Sequence, residues 1–298
     1  MKTAIGGLVI GVVSSTIAAA QPAPEPGAAP RVAGSTPVGP TRQPGFVSID
    51  RIDDTSRAGL EASYLEPNMM SASGPKPRLM RFEAHVSYVD QPLGLGGYVL
   101  APFGYIHTGD GATSRTTSAL GDVEFGAIYI PRLPSENVGV VFHAGIAAPT
   151  GEDNAAGFIT NSVALTELYN GLPKGTTAKL GVSPMFRYGN LFARLDLGVD
   201  WNIDAKDATV GTGLHYNAGL GIDLGAAAVM LESENMSLLR INGNGGAARG
   251  ATLNALVVSV RASLRPVSPY VGVVIPCEED ISDLTDFAIT LGSDFRFD

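Results

Sequence analysis

From Arg57 onward, apolar and polar residues alternate along the chain with a period of two. Between Arg194 and Asn202, the odd positions carry Leu195, Leu197, Val199 and Trp201, and the even ones carry Arg194, Asp196, Gly198, Asp200 and Asn202. On a strand these two sets point to opposite faces; on a helix they would scatter around the axis. Met80, Phe82, Ala84, Val86 and Tyr88 alternate in the same way with Arg81, Glu83, His85 and Ser87. So do Leu214–Ile222 with His215, Asn217 and Asp223, Leu256–Leu264 with Ser259 and Arg261, and Phe287–Phe297 with Thr290, Asp294 and Arg296. The runs last about 10 to 13 residues, the length of a tilted membrane-crossing strand. Strands of soluble domains average about 5 to 6 residues.

The pattern predicts strands at 57–65, 79–90, 97–108, 121–132, 138–149, 176–188, 191–203, 211–223, 227–236, 250–264, 269–277 and 286–297. Pro102 interrupts the third, where it removes a ladder donor. Short connections at 91–96, 133–137, 189–190, 224–226 and 265–268 alternate with mostly longer polar ones at 66–78, 109–120, 150–175, 204–210, 237–249 and 278–285. An even strand number and strict short–long alternation describe an all-β fold, a transmembrane antiparallel up-and-down β-barrel of about 12 strands.

Energetics orient the faces. An Arg or Lys turned toward lipid at mid-depth costs about 2–4 kcal/mol, a large part of a typical net stability of about 5–15 kcal/mol. The polar face therefore looks inward. This assigns Arg81, Glu83, Asp122, Glu124, Arg194, Asp196, Asp200, His215, Asp223, Arg261, Asp294 and Arg296 to the lumen, as the residues that line a solute path or brace the barrel interior. Gly198, Gly219, Gly221 and Gly292 on the same face leave room there or relieve sheet curvature. Tyr88, Tyr129, Tyr188, Trp201, Tyr270, Phe295 and Phe297 fall near strand ends and are candidates for an interfacial aromatic girdle. Twelve strands enclose more than side chains alone fill, so either a narrow pore or a plug of loops is expected.

The first twenty residues have a short basic start, an apolar middle and Ala18-Ala19-Ala20 before Gln21. That is the form of a secretory signal peptide cleaved after Ala20. Residues 21–56 open Pro-, Ala- and Gly-rich, a composition too poor in apolar surface to order itself, and are read as a periplasmic N-terminal segment. Residues 57–298 are the barrel. A single cysteine, Cys277, excludes an internal disulfide framework. The net charge of −9 comes with no Lys/Arg cluster, so no nucleic-acid partner is expected.

Candidate chemistry is sparse. His85, His143 and His215 fall on strands and His107 near a strand end, with Asp200 and His215 expected to approach across one hairpin. A Ser–His–acid lipid hydrolase could be built from such residues, but no nucleophile motif surrounds any serine. No catalytic residue, cofactor or metal ligand is assigned. Glu278, Glu279, Asp280, Asp283 and Asp286 form an acidic loop without EF-hand spacing. Pro149-Thr150-Gly151 ends a strand and opens a long loop.

Gly121-Asp122-Val123-Glu124-Phe125-Gly126-Ala127-Ile128-Tyr129, followed by Gly145-Ile146-Ala147-Ala148-Pro149-Thr150-Gly151-Glu152-Asp153, resembles the outer-membrane proteins of the "MetA-pathway of phenol degradation" group. The likeness covers about residues 120–155. It implies a porin-like barrel in the bacterial outer membrane that passes small, hydrophobic or aromatic solutes; with no nucleophile motif around any serine, no enzyme is expected, and a membrane-embedded lipid hydrolase is the remotest reading. The implied partners are membrane lipid and lipopolysaccharide, the solute, and the barrel-assembly machinery. A plugged structural or surface-binding barrel without transport is the alternative.

Overall fold

The computed structural model describes residues 44–49, 52–67, 77–109, 114–152, 156, 164–171, 175–203, 211–241, 249–278 and 285–297. The signal peptide, all of residues 21–43 and most of the acidic loop lie outside these residues.

The strands are β1 (Arg57–Pro67), β2 (Arg78–Asp90), β3 (Leu95–Thr108), β4 (Arg115–Leu120), β5 (Val123–Tyr129), β6 (Val138–Ala148), β7 (Thr177–Tyr188), β8 (Leu191–Asn202), β9 (Thr212–Asp223), β10 (Ala227–Ile241), β11 (Arg249–Ala262), β12 (Val267–Pro276) and β13 (Thr285–Arg296). All neighbours pair antiparallel, and β1 meets β13 from Arg57↔Arg296 to Pro67↔Thr285, which closes the sheet on itself. β4 and β5 both pair with β3 and are halves of one stave, so the wall is a twelve-strand barrel. Among the described residues no helix is long and apolar enough to cross a membrane.

The broken stave corrects one predicted boundary. Residues 115–120 were expected in a loop and form β4 instead. Arg115-Thr116-Thr117-Ser118 has no apolar alternation to betray a strand, because it stands toward the long-loop rim. Pro102 explains the break. Its carbonyl accepts the N–H of Gly121 at 2.9 Å. In an antiparallel ladder a residue's N–H and C=O face the same neighbour. The missing donor of Pro102 thus falls where the facing stave is interrupted, and β3 runs through it unbroken.

The faces are arranged as predicted. Leu197, Leu220, Leu231, Val258 and Leu291 are exposed on the outer wall, while alternate positions are buried. Tyr88, Tyr129, Tyr188 and Phe295 stand exposed near the short-turn rim, with Tyr129 stacked on Phe142 at 6.2 Å, and Trp201 stands near the opposite rim. Tyr270 is a correction: it points inward, buried, with its hydroxyl donating to Glu61 at 3.0 Å and the Arg261 guanidinium 4.3 Å from its ring centre. It shares the parity of Ser268, Gly272 and Val274, the inner positions of β12. Proximity to a strand end does not determine which face a residue takes.

Candidate functional site: a filled lumen

Two segments outside the wall lie inside the barrel. Residues 44–49 and 52–56 are largely buried, with Phe46, Val47 and Ile49 packed against the inner-face residues Phe192, Met230 and Tyr270. Ile52 joins a second cluster with Val89, Tyr98, Leu100 and Met185. This described part of the segment 21–56 is therefore lumenal, where a periplasmic lead-in was expected. The composition changes at Phe46: Phe46, Val47, Ile49 and Ile52 supply the apolar surface that the Pro-rich stretch before them lacks.

The second element is a 3-10 helix, Leu165–Gly171, buried throughout. It belongs to the connection 150–175, read from sequence as a long external loop. Leu165, Leu168 and Tyr169 pack on Leu65, Leu79, Met236 and Leu238 near the long-loop rim. The gap left between Val47, Arg81, Glu167 and Thr290 measures about 10 Å³, room for one water at most.

Two neighbouring carboxylates on β10 hold both elements. Glu232 accepts the backbone N–H groups of Val47 (3.1 Å), Ser48 (2.7 Å) and Ile49 (3.0 Å), and the Ser259 hydroxyl at 2.8 Å. Glu234 accepts the Ser48 hydroxyl and the N–H of Leu165 at 3.2 Å. A buried donor left without such an acceptor costs about 1–3 kcal/mol. Neither glutamate was singled out from sequence. They share the inner parity of β10 with Met230, Met236 and Leu238, so that face reads as neither polar nor apolar.

The predicted lumen residues Arg81, Glu83, Glu124, Arg194, Asp196, Asp200, His215, Arg261 and Asp294 are buried on the inner face. Asp122 is buried at the break between β4 and β5, its Oδ1 accepting the Gly151 N–H at 2.7 Å. Asp223 and Arg296 are half-buried at the short-turn rim, where Asp223 pairs with Arg187 at 2.8 Å.

The buried charges form local networks, as the cost of burying an unpaired ion requires. Asp294 receives Arg57 at 3.3 Å, Arg261 at 2.5 Å and His85 at 2.9 Å, and Arg57 also reaches Asp53 of the inserted segment at 3.0 Å. Arg81 joins Glu61 at 2.9 Å, Glu83, and Glu167 of the 3-10 helix. Glu124 takes Lys179 at 2.6 Å, Tyr98 at 2.8 Å and Asn170 at 2.9 Å. Asp196 accepts Ser183 at 2.7 Å and Asn217 at 3.2 Å. Here the carboxylate stands between the hydroxyl and the nearby imidazoles of His143 and His215, where a Ser–His–acid relay needs the imidazole in the middle. The expected approach of His215 and Asp200 is present, at 3.3 Å.

The inner-face glycines are occupied rather than open. A Cβ at Gly198 would meet His215, at Gly221 the Phe192 ring, and at Gly292 the Tyr270 ring, each within 2.4 Å. A dent of about 590 Å³ lies instead on the outer wall, lined by Leu60, Ala62, Phe82, Ala84, Phe103 and Leu291, where membrane lipid contacts the barrel.

No protein-family model and no curated protein matches this chain. Solved structures do. The chain is similar to the COG4313 outer membrane channel from Pseudomonas putida F1, at 16% identity and a TM-score of 0.58 over 85% of this chain and 97% of that one. It is similar to the NanC porin at 11% identity and a TM-score of 0.51, over 80% of this chain and 100% of that one. Likeness at these identities concerns the fold. With the apolar outer wall, it defines an outer-membrane β-barrel in contact with lipid.

Proposed function

We propose that this barrel is an outer-membrane channel, closed at rest, for small hydrophobic or aromatic solutes. The seat of Phe46 carries this reading. Its ring lies 5.4 Å from that of Phe192, against the bare backbone of Gly219, in an apolar pocket closed by a peptide instead of a wall strand. A peptide held by side-chain hydrogen bonds can be withdrawn without breaking the ladder, and the place that the Phe46 ring leaves, against Phe192 and Gly219, is apolar and ring-sized. The channel and the porin that share the fold support the reading by analogy alone. Lipopolysaccharide and the barrel-assembly machinery are the partners that such a membrane location supplies, and the reading assigns no catalysis.

The same filling favours a second reading, a permanently plugged structural barrel. The intact protein separates the two. A channel makes cells that carry it take up toluene faster than cells without it, and tethering the segment by a disulfide between cysteines placed at Phe46 and Gly219 abolishes that gain. A structural barrel leaves toluene uptake unchanged, with and without the tether.

A further inference from the structure

Four adjacent staves carry one cross-strand row on the inner wall. His143 of β6 stands opposite Gly181 of β7, Gly181 opposite Gly198 of β8, and Gly198 opposite His215 of β9. The two glycines make room for the two rings: a Cβ at Gly181 would lie 2.1 Å from Nε2 of His143, and one at Gly198 would lie 2.3 Å from Nε2 of His215. The imidazoles thus lean toward each other from the ends of the row. Asp196, two residues before Gly198, completes the group. Its Oδ1 is 3.7 Å from His143 Nε2 and its Oδ2 is 3.6 Å from His215 Nε2.

We propose that His143, Asp196 and His215 bind a divalent first-row transition metal of the zinc class. Both gaps to Asp196 exceed the hydrogen-bond range. With one carboxylate oxygen as ligand, its gap to the imidazole beside it approaches the spacing of ligand atoms sharing a tetrahedral ion, about 3.4 Å for metal–ligand bonds of about 2.0–2.2 Å, and the other imidazole closes in by a small ring movement. All three ligand atoms lie within 4.8 Å of one another. Two imidazoles and a carboxylate are a donor set suited to zinc and its neighbours, and a water takes the fourth position.

The surroundings fit a metal site as well. The other ring nitrogen of His215, Nδ1, lies 3.3 Å from Asp200 Oδ2, the carboxylate–histidine pairing that fixes a ligand ring. Ser183 and Asn217 hold the two oxygens of Asp196 in place. Arg194 donates to Ser183 at 3.0 Å and to the carbonyl of Ile52 at 2.8 Å, so the site connects directly to the inserted N-terminal segment. A bound ion would cross-brace β6, β8 and β9 from the inside.

The test uses the full chain in detergent, stripped with a chelator and titrated with Co²⁺ and then Zn²⁺. One equivalent of Co²⁺ should give the visible absorption bands of a four-coordinate ion, and Zn²⁺ should displace it. His143→Gln and His215→Gln should each weaken binding about a hundredfold or more, and Asp200→Asn, which acts through His215, about 10–100-fold. His107→Gln, near the long-loop rim, should bind like the wild type. Heat-dependent gel mobility establishes that each variant is a folded barrel. If a variant fails to fold, the wild type alone decides, because a bound ion must raise its unfolding temperature. Absent bands and an unchanged unfolding temperature, or bands that persist in both folded histidine variants, overturn the proposal.

Discussion

Phe46 rests directly on Gly219: a Cβ at position 219 would stand 2.4 Å from Phe46 Cε1 and 2.7 Å from Ile49 Cδ1. The glycine is therefore part of the seat of the inserted segment. Gly219→Leu should expel that segment, raise conductance in planar bilayers and expose residues 44–49 to protease. An empty lumen would give the opposite sign, since a larger side chain would narrow the passage. Reduced conductance in this variant would sink the seat interpretation.

Glu232→Ala removes the acceptor of three consecutive backbone donors. Unsatisfied buried donors cost about 1–3 kcal/mol each, so the inserted state should lose at least about 3 kcal/mol. Hydrogen exchange at Val47, Ser48 and Ile49 should speed up by two orders of magnitude or more, while the strand amides of β6 and β7 stay protected.

Asp54 gives the inserted segment a pH dependence. Burial, and after it the neighbouring Asp53 carboxylate, push its carboxyl up to about 7. A raised carboxyl holds its proton in the folded state, so its favourable contribution is full below about pH 4. That contribution is lost as pH rises through about 7. Protease cleavage within 44–56 should therefore increase between pH 5 and pH 8, and Asp54→Asn should flatten the profile. A profile equally steep in the variant would show that another group titrates.

On the outer wall, Leu197→Arg places a charge near the middle of β8, at a cost of about 2–4 kcal/mol at the bilayer midplane. Folding into lipid vesicles, followed by denaturant titration, should show that loss. Leu191→Arg, at the short-turn end of the same strand, should cost about 0–1 kcal/mol.

Much of this was legible in the sequence. Where inner and outer positions differ in kind, as on β8 with Arg194, Asp196 and Asp200 against Leu195, Leu197 and Val199, a period of two determines both strand and face. Where they do not, it fails. Arg115–Ser118 is polar on both sides and was placed in a loop. Glu232 and Glu234 share a face with methionines and were passed over. Tyr270 took the inner face against the expectation for a rim aromatic. The filling itself was harder to see. Residues 46–49 are too few and irregular for any periodicity, and their place inside depends on an acceptor about 185 residues away in sequence. Such a contact has no local signature.

The seam between β1 and β13 joins the first wall strand to the last. The peptide seated on Glu232 immediately precedes β1 in the chain. It is made before any wall strand, yet its acceptor on β10 and its neighbour Tyr270 on β12 come late, and the wall closes only once β13 has arrived. Assembly must therefore have an order: either the early peptide waits inside a half-built cylinder while the remaining staves are added around it, or it is threaded in through the short-turn end after closure. Long-range contacts of this kind form slowly, so in either order the seating of Val47 waits for an acceptor made 185 residues later.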